Sequence, residues 1–197
     1  SYSSTDYAGH NFGVNAKEIQ DMYIRLDKNI EQLITTLDEQ VGKGNYTIFL
    51  TADHGVAHVP QLLADRNIPA GYFDKKTFEA SVKRFVEDKF GVNGIVEGFS
   101  GQEIFLDYTV LDANDLEADD VQEALYYYLL QYDKIDRVVT RDMINNSKTD
   151  MLFSSNIQNG FHPKRSGDVM YVLEPSHIAS TSKREQHTAV ITVTILK

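Results

Sequence analysis

Two pairs of acidic and imidazole side chains have the types and spacing needed to hold metal ions. Asp6 and His10 lie four residues apart around Gly9, and Asp53 and His54 are adjacent at the end of an apolar run. Carboxylate oxygen and neutral imidazole nitrogen form a ligand set suited to zinc. Two metals about 4 Å apart can polarise phosphoryl oxygens, activate a nucleophile and stabilise a leaving oxygen. The two pairs therefore predict a site for phosphoryl transfer.

The elements around these pairs favour the metal site over a chance occurrence. Asp–His neighbours also arise by chance, and a DHG sequence is also found where a strand simply ends. Here, apolar residues recur at spacings of three and four over residues 16–41, which predicts a long amphipathic helix after a loop that carries Asp6 and His10. Residues 46–52 predict a buried strand with Asp53 and His54 at its carboxyl end. Open α/β sheets bind ligands at that edge.

The rest of the pattern predicts an α/β fold in three segments. Residues 1–71 form a metal-binding α/β core segment, residues 72–147 an inserted α+β subdomain, and residues 148–197 a return to the core sheet. Apolar periodicity predicts helices over residues 74–91 and 117–133, strands over residues 102–111 and 168–173, and a short helix from Thr140. The segment 145–167 is rich in Asn, Ser, Gly and Lys and predicts a loop.

Composition limits the classes of function. The chain has no cysteine, so disulfides, thiolate metal sites and cysteine nucleophiles are excluded. Its net charge of -10 argues against a nucleic-acid backbone as the main partner. An acidic protein can still bind phosphate esters where metal ions supply local positive charge. No apolar run is long enough to predict a membrane span, and the first residues do not have the pattern of a signal peptide.

Three sequence segments resemble a known superfamily. STDYAGHNFG is followed by the long amphipathic helix, then by TIFLTADHGVAHVP, and later by GFHPKRSGDVMYVLEP. These segments resemble the alkaline phosphatase superfamily, and within it the type I phosphodiesterase and nucleotide pyrophosphatase branch. They are similar to bacterial phosphate-monoesterases that have a threonine nucleophile and a TDYxGHxFG segment. The match is strong over residues 1–60 and moderate over residues 160–175. The resemblance implies a three-layer alkaline-phosphatase-like sheet, present in part, and two Zn²⁺ ions in the parent protein.

The resemblance also assigns roles to the four predicted ligands. It implies that Asp6 and His10 bind the first zinc, and that Asp53 and His54 divide between the two sites, mostly in the second. A further aspartate ligand and the Thr or Ser nucleophile lie N-terminal of this motif in the family, so no catalytic nucleophile is predicted in this chain. We therefore expect a C-terminal fragment that is inactive alone, with partial or empty metal sites. The parent is expected to be periplasmic or secreted and to act on small phosphate esters.

Other histidines receive different predictions. His58, in DHGVAHVP, is expected to have a structural or outer-shell role rather than to bind metal. His162 belongs to a loop in which Lys164, Arg165 and Ser166 are expected to brace the sheet edge, and it is not predicted as a ligand.

The C-terminal tail departs from the family pattern. From Ser180 the chain reads STSKREQHTAVITVTILK. From about Ser182 this tail replaces the KGTTHGSxYxYDTH segment that the resemblance predicts, whose histidine completes the first zinc site. A shift of reading frame by two bases permits KTGTTHGSxYSYDT, which suggests that the tail is a frameshift product. Thr188 then occupies the position of the expected histidine, and the nearby His187 is not equivalent to it.

Two alternatives to phosphate-ester hydrolysis stay open from the sequence. One is another chemistry of the same superfamily, as in phosphoglycerate mutases or sulfatases, because the nucleophile that would distinguish these is not in the chain. The other is a non-catalytic binding module. Zinc content separates the binding module from the enzymes.

Overall fold

A computed structural model describes residues 2–52, 54–146, 152–180 and 191–196. The chain forms two compact units. Unit 1 consists of Ser1–Tyr72 and Ile178–Lys197, and unit 2 of Phe73–His177. The described helices are α1 (Ser4–Phe12), α2 (Lys17–Leu37), α3 (Pro60–Ala64), α4 (Lys75–Phe90), α5 (Tyr108–Ala113), α6 (Ala118–Leu130), α7 (Arg141–Asn145) and α8 (Leu152–Gly160). The described strands are β1 (Thr47–Ala52), β2 (Gly71–Asp74), β3 (Val96–Ser100), β4 (Glu103–Leu106), β5 (Ile135–Thr140), β6 (Val169–Leu173), β7 (His177–Ser180) and β8 (Ile191–Leu196).

Unit 1 is built on a pair of helices and a two-stranded sheet. The long amphipathic helix predicted from the sequence is confirmed as α2, which continues into a π-helical turn at Asp38–Gly42. Gly42 ends this turn with φ +93°, and a Cβ at that position would lie 2.7 Å from the Asn45 side chain. The chain then enters β1, which pairs antiparallel with β8 from Thr47 opposite Leu196 to Ala52 opposite Ile191.

The prediction that the first strand is buried is wrong. In β1 all residues except Ile48 are exposed, with Phe49 51% and Leu50 63% exposed. An apolar run is buried only where the fold supplies packing layers on both of its faces. In the described part of the chain the main neighbour of β1 is β8, which pairs along its edge and does not cover its faces.

Unit 2 has a four-stranded antiparallel sheet in the order β3-β4-β6-β5, with α4 and α6 packed beside it. The helix predicted over residues 74–91 is confirmed as α4. It begins after Asp74 because the Asp74 side chain caps the first turn by accepting a hydrogen bond from Thr77 N at 3.1 Å. Gly91 ends α4 in the left-handed conformation, with φ +69°. The core contains fully buried residues from helices and strands alike: Phe78, Val82, Val86, Ile104, Val121, Leu125, Leu129 and Val169.

Two elements of unit 2 differ from the sequence prediction. The strand predicted over residues 102–111 ends at Leu106, because the Asp107 side chain accepts hydrogen bonds from Thr109 N and Val110 N and starts α5. The loop predicted over residues 145–167 contains α8, although residues 147–151 lie outside the described part of the chain. In the first place the side-chain cap at Asp107 ends the apolar run as a strand, and in the second a local helix forms despite the polar composition.

The strand predicted over residues 168–173 is confirmed as β6, which lies between β4 and β5 in the sheet of unit 2. The strands β2 and β7 pair in a separate two-stranded sheet. The division into segments 1–71, 72–147 and 148–197 concerns the family core and stays a prediction. Of the predicted frameshifted tail, residues 181–190 lie outside the described residues, and the backbone of residues 191–196 forms β8.

Candidate metal centre

Asp6 and His10 lie on one face of α1 rather than in the loop predicted for them. The helix has no side-chain N-cap hydrogen bond, but its charges suit its ends, since Asp6 lies in the first turn and His10 in the last. Their spacing of four residues brings the side chains together, with His10 Nε2 3.5 Å from Asp6 Oδ1. The His10 side chain is 38% exposed and the Asp6 side chain is 21% exposed, so both side chains are partly open to solvent.

The distance between these two atoms fits a shared metal ion. Zinc binds imidazole nitrogen and carboxylate oxygen at about 2.0–2.2 Å. If an ion lay at that distance from both His10 Nε2 and Asp6 Oδ1, the N–metal–O angle would be roughly 110–120°, near the tetrahedral value. The donor set and the spacing therefore match half of a tetrahedral zinc site.

The second predicted pair is described only in part. Asp53 lies outside the described residues. His54 begins a six-residue segment, 54–59, that joins β1 to α3 without regular structure. His54 Nδ1 lies 2.9 Å from Gly55 O. Because a carbonyl oxygen only accepts, Nδ1 carries the proton, which puts the lone pair of the imidazole on Nε2. This is the tautomer that a metal-binding histidine with a backbone partner adopts.

Within the residues that the structure describes, no three His, Asp or Glu side chains converge as a metal-binding group. The structure thus brings Asp6 and His10 together. The assignment of all four ligands, Asp6, His10, Asp53 and His54, stays a prediction.

A hydrogen bond joins the segments that follow the two predicted pairs. Asn15 Nδ2 lies 3.2 Å from His58 Nδ1 across a sequence separation of 43 residues. The amide nitrogen of Asn15 only donates, so Nδ1 of His58 accepts and its Nε2 carries the proton. The sequence singled out His58 but not Asn15, which shows no motif or periodicity of its own.

Sequence reasoning also missed a buried ion pair in unit 2. Asp168, 2% exposed, accepts from Leu106 N at 2.8 Å, from the Tyr108 hydroxyl at 2.7 Å and from Arg141 Nε at 2.8 Å. Burial, followed by the hydrogen bond to Asp168, raises the pKa of Tyr108 to about 12. The ion pair spans 27 residues with no local pattern to reveal it.

This ion pair organises the loop that carries His162. The terminal nitrogens of Arg141 donate to Pro163 O and Ser166 O. His162 N donates to Ser166 Oγ at 3.0 Å, and Lys164 N donates to His162 Nδ1 at 3.2 Å. The bracing role expected for Lys164, Arg165 and Ser166 thus falls in part to Ser166, with Arg141 as its partner.

Comparison with known proteins assigns the family. The model of the type I phosphodiesterase / nucleotide pyrophosphatase family matches residues 1–193, and the chain belongs to this family. The resemblance to the alkaline phosphatase superfamily seen in the motifs is thereby confirmed.

Two curated relatives show how much of the family protein the chain represents. A protein of Myroides odoratus named calcium-transporting ATPase is 41% identical over 89% of this chain and 32% of its own length. Alkaline phosphatase PafA of Elizabethkingia meningoseptica is 36% identical over 92% of this chain and 33% of its own length. The chain therefore spans about a third of these relatives.

A solved structure confirms the predicted fold class. The crystal structure of wild-type alkaline phosphatase PafA matches 98% of this chain and 38% of its own, with a TM-score of 0.84 and 31% identity. This chain thus has a mixed α/β structure of the alkaline phosphatase type. None of the described helices is both long and apolar enough to cross a bilayer.

Proposed function

We propose that the parent protein is a two-zinc phosphoric ester hydrolase and that this chain supplies part of its metal site. The observation that carries the proposal is the 3.5 Å approach of His10 Nε2 to Asp6 Oδ1, within the motif matched by the family model. The printed names of the relatives support it, since an alkaline phosphatase and an ATPase both transfer a phosphoryl group to water.

The chain's own residues would hold metal and position it. Asp6 and His10 hold the first ion, and His54, through Nε2, acts with Asp53 mainly at the second. When bound, the zinc ions stabilise negative charge on the phosphoryl group and on the leaving oxygen. A Thr or Ser outside this chain would attack phosphorus and break the ester P–O bond, so that the alcohol leaves and a covalent phosphoryl-enzyme forms; water would then hydrolyse this intermediate and release inorganic phosphate. The chain alone supplies no nucleophile, so it is expected to be inactive and to bind zinc weakly or partially.

The substrate class follows from the same proposal. The ligand is a small phosphate ester rather than a nucleic acid, since the net charge of -10 disfavours contact with a polyanion except at the metal ions. The parent is proposed to act in the periplasm or outside the cell, as its family resemblance implies.

Metal content and turnover test the proposal. The full-length parent should contain close to two zinc ions per chain by elemental analysis and should hydrolyse p-nitrophenyl phosphate. His10→Ala in the parent should abolish turnover, whereas His162→Ala, in the loop of unit 2, should preserve it. A parent that contains no zinc and does not hydrolyse phosphate esters would instead support the non-catalytic binding module. Turnover of p-nitrophenyl phosphate by this chain alone, with zinc added, would show that the chain does contain a nucleophile.

A further inference from the structure

Asn15 and His58 connect the two segments of unit 1 that follow the predicted ligand pairs. Asn15 lies between α1, which carries Asp6 and His10, and α2. His58 lies between His54 and α3. Their side chains meet at 3.2 Å, Asn15 Nδ2 to His58 Nδ1. The bond therefore ties the turn that follows α1 to the irregular segment that begins at His54.

The two segments differ in how well their backbones are held. On the α1 side, Gly13 N donates to Gly9 O at 2.8 Å and Ala16 N donates to Gly13 O at 3.1 Å, so Asn15 extends from a hydrogen-bonded turn. On the other side, residues 54–59 form no helix or strand, and regular hydrogen bonding resumes where α3 begins at Pro60. The Asn15 side chain thus extends from a hydrogen-bonded turn and contacts a segment without regular structure.

The hydrogen bonds also give His54 and His58 opposite tautomers. His54 donates through Nδ1 to Gly55 O, which leaves the lone pair on Nε2, as a metal ligand requires. His58 accepts at Nδ1 from Asn15, so its Nε2 carries the proton and neither ring nitrogen offers a lone pair to a metal. The tautomer of His54 therefore suits a metal ligand, whereas that of His58 suits a hydrogen-bond partner of Asn15.

We propose that Asn15 and His58 are positioning residues of the metal site, which act by fixing the loop of His54 against the end of α1. The inference rests on the proposed function, because it specifies how that site is assembled. Metal ligation tolerates distance errors of only about 0.2 Å, and an unanchored six-residue loop would have to be ordered by the metal itself. The hydrogen bond supplies that order before an ion binds.

Zinc titration of the whole chain by calorimetry, with matched variants, tests the positioning role. Asn15→Ala and His58→Leu should each weaken zinc binding about tenfold, the lower end of the effect of outer-shell partners. His58→Asn keeps an acceptor at the position of Nδ1, and its affinity should stay within about threefold of the wild type. The double variant Asn15→Ala/His58→Leu should bind no more weakly than either single variant, since both remove the same bond.

Two controls keep a folding defect and a failed site distinguishable. Both side chains are exposed, so far-UV circular dichroism and thermal unfolding of the variants should match the wild type. The ring ¹⁵N shifts in NMR should show His58 protonated at Nε2 and His54 protonated at Nδ1, without added metal.

The possible results distinguish failure of the positioning role from failure of the metal site. If the wild type binds zinc but Asn15→Ala binds equally well, or if His58→Asn loses as much as His58→Leu, the positioning role is wrong and the metal site stands. A His58 ring protonated at Nδ1 would likewise refute the hydrogen bond. If the wild-type chain binds no zinc, the same titrations are made on the full-length parent: unchanged zinc affinity of Asn15→Ala there would refute the positioning role, and a parent without zinc would refute the proposed function.

Discussion

The Tyr171 hydroxyl is a buried polar group whose removal should stabilise the protein. Tyr171 is 1% exposed, and within the described residues its hydroxyl has no hydrogen-bond partner. Its ring lies 4.9 Å from that of Phe78 and 6.1 Å from that of Phe73. Tyr171→Phe leaves this packing intact and removes only the oxygen. Since an unpaired buried hydroxyl costs about 1–3 kcal/mol, the free energy of unfolding should rise by about 1–2 kcal/mol at neutral pH.

The same substitution should change the pH dependence of stability. Burial, with a smaller effect of Glu79, raises the pKa of Tyr171 from 10.0 to about 12. A group whose pKa is raised on folding contributes fully below its unfolded pKa and loses that contribution as pH rises towards its folded pKa. The wild type should therefore lose stability above pH 10 that Tyr171→Phe keeps. With one pKa unit worth about 1.4 kcal/mol, the difference between the two proteins should be about 1.4 kcal/mol larger at pH 11 than at pH 8.

Urea denaturation followed by far-UV circular dichroism at pH 8 and pH 11 measures both effects. Tyr127→Phe is the matched control, because Tyr127 is 57% exposed and its loss should change stability by less than about 0.5 kcal/mol. The reasoning is refuted if Tyr171→Phe destabilises the protein at pH 8, since the hydroxyl would then be satisfied, or if the difference between wild type and variant is the same at both pH values.

Three further substitutions test the network, the site and the exposed strand. Asp168→Asn leaves the Arg141 guanidinium without its buried counter-charge, so the free energy of unfolding measured in urea should fall by about 3–5 kcal/mol. A fall below about 1 kcal/mol would contradict the structural role of the ion pair. His10→Ala should weaken zinc binding by the isolated chain at least tenfold in calorimetry, while His162→Ala should leave the affinity unchanged. If both variants lose the same affinity, His10 is not a zinc ligand. Because Leu50 is exposed, Leu50→Thr should change the free energy of unfolding by less than about 0.5 kcal/mol. It should also reduce light scattering from aggregates in concentrated solution, since it removes an exposed apolar side chain. A large destabilisation would show that the side chain is buried.

Local signals predicted most elements of the fold, while the burial of β1 and the buried ion pair depend on non-local contacts. The periodicity of α2 and α4, with the cap at Asp74 and the left-handed Gly91, lies within each segment, so sequence was sufficient. The burial of β1 depends on layers supplied by other parts of a protein, and its apolar run carried no information about their presence. The Asp168–Arg141 pair joins positions 27 residues apart, and nothing in either neighbourhood marks it.

The same distinction explains how much of the candidate site was visible in the sequence. The D-x-x-x-H spacing of Asp6 and His10 is also the spacing of one helical face, and the structure places both residues on α1 rather than in the loop predicted for them. The position of each histidine in DHGVAH predicted His54 as a ligand and His58 as a structural or outer-shell residue, and the hydrogen-bond partners add the tautomer of each ring. Gly55 O assigns the lone pair of His54 to Nε2, and Asn15 occupies the lone pair of His58 at Nδ1. Those partners come from the folded backbone and from a turn 43 residues away, so the sequence could separate the predicted ligand His54 from His58 but could not identify Asn15 as the partner of His58.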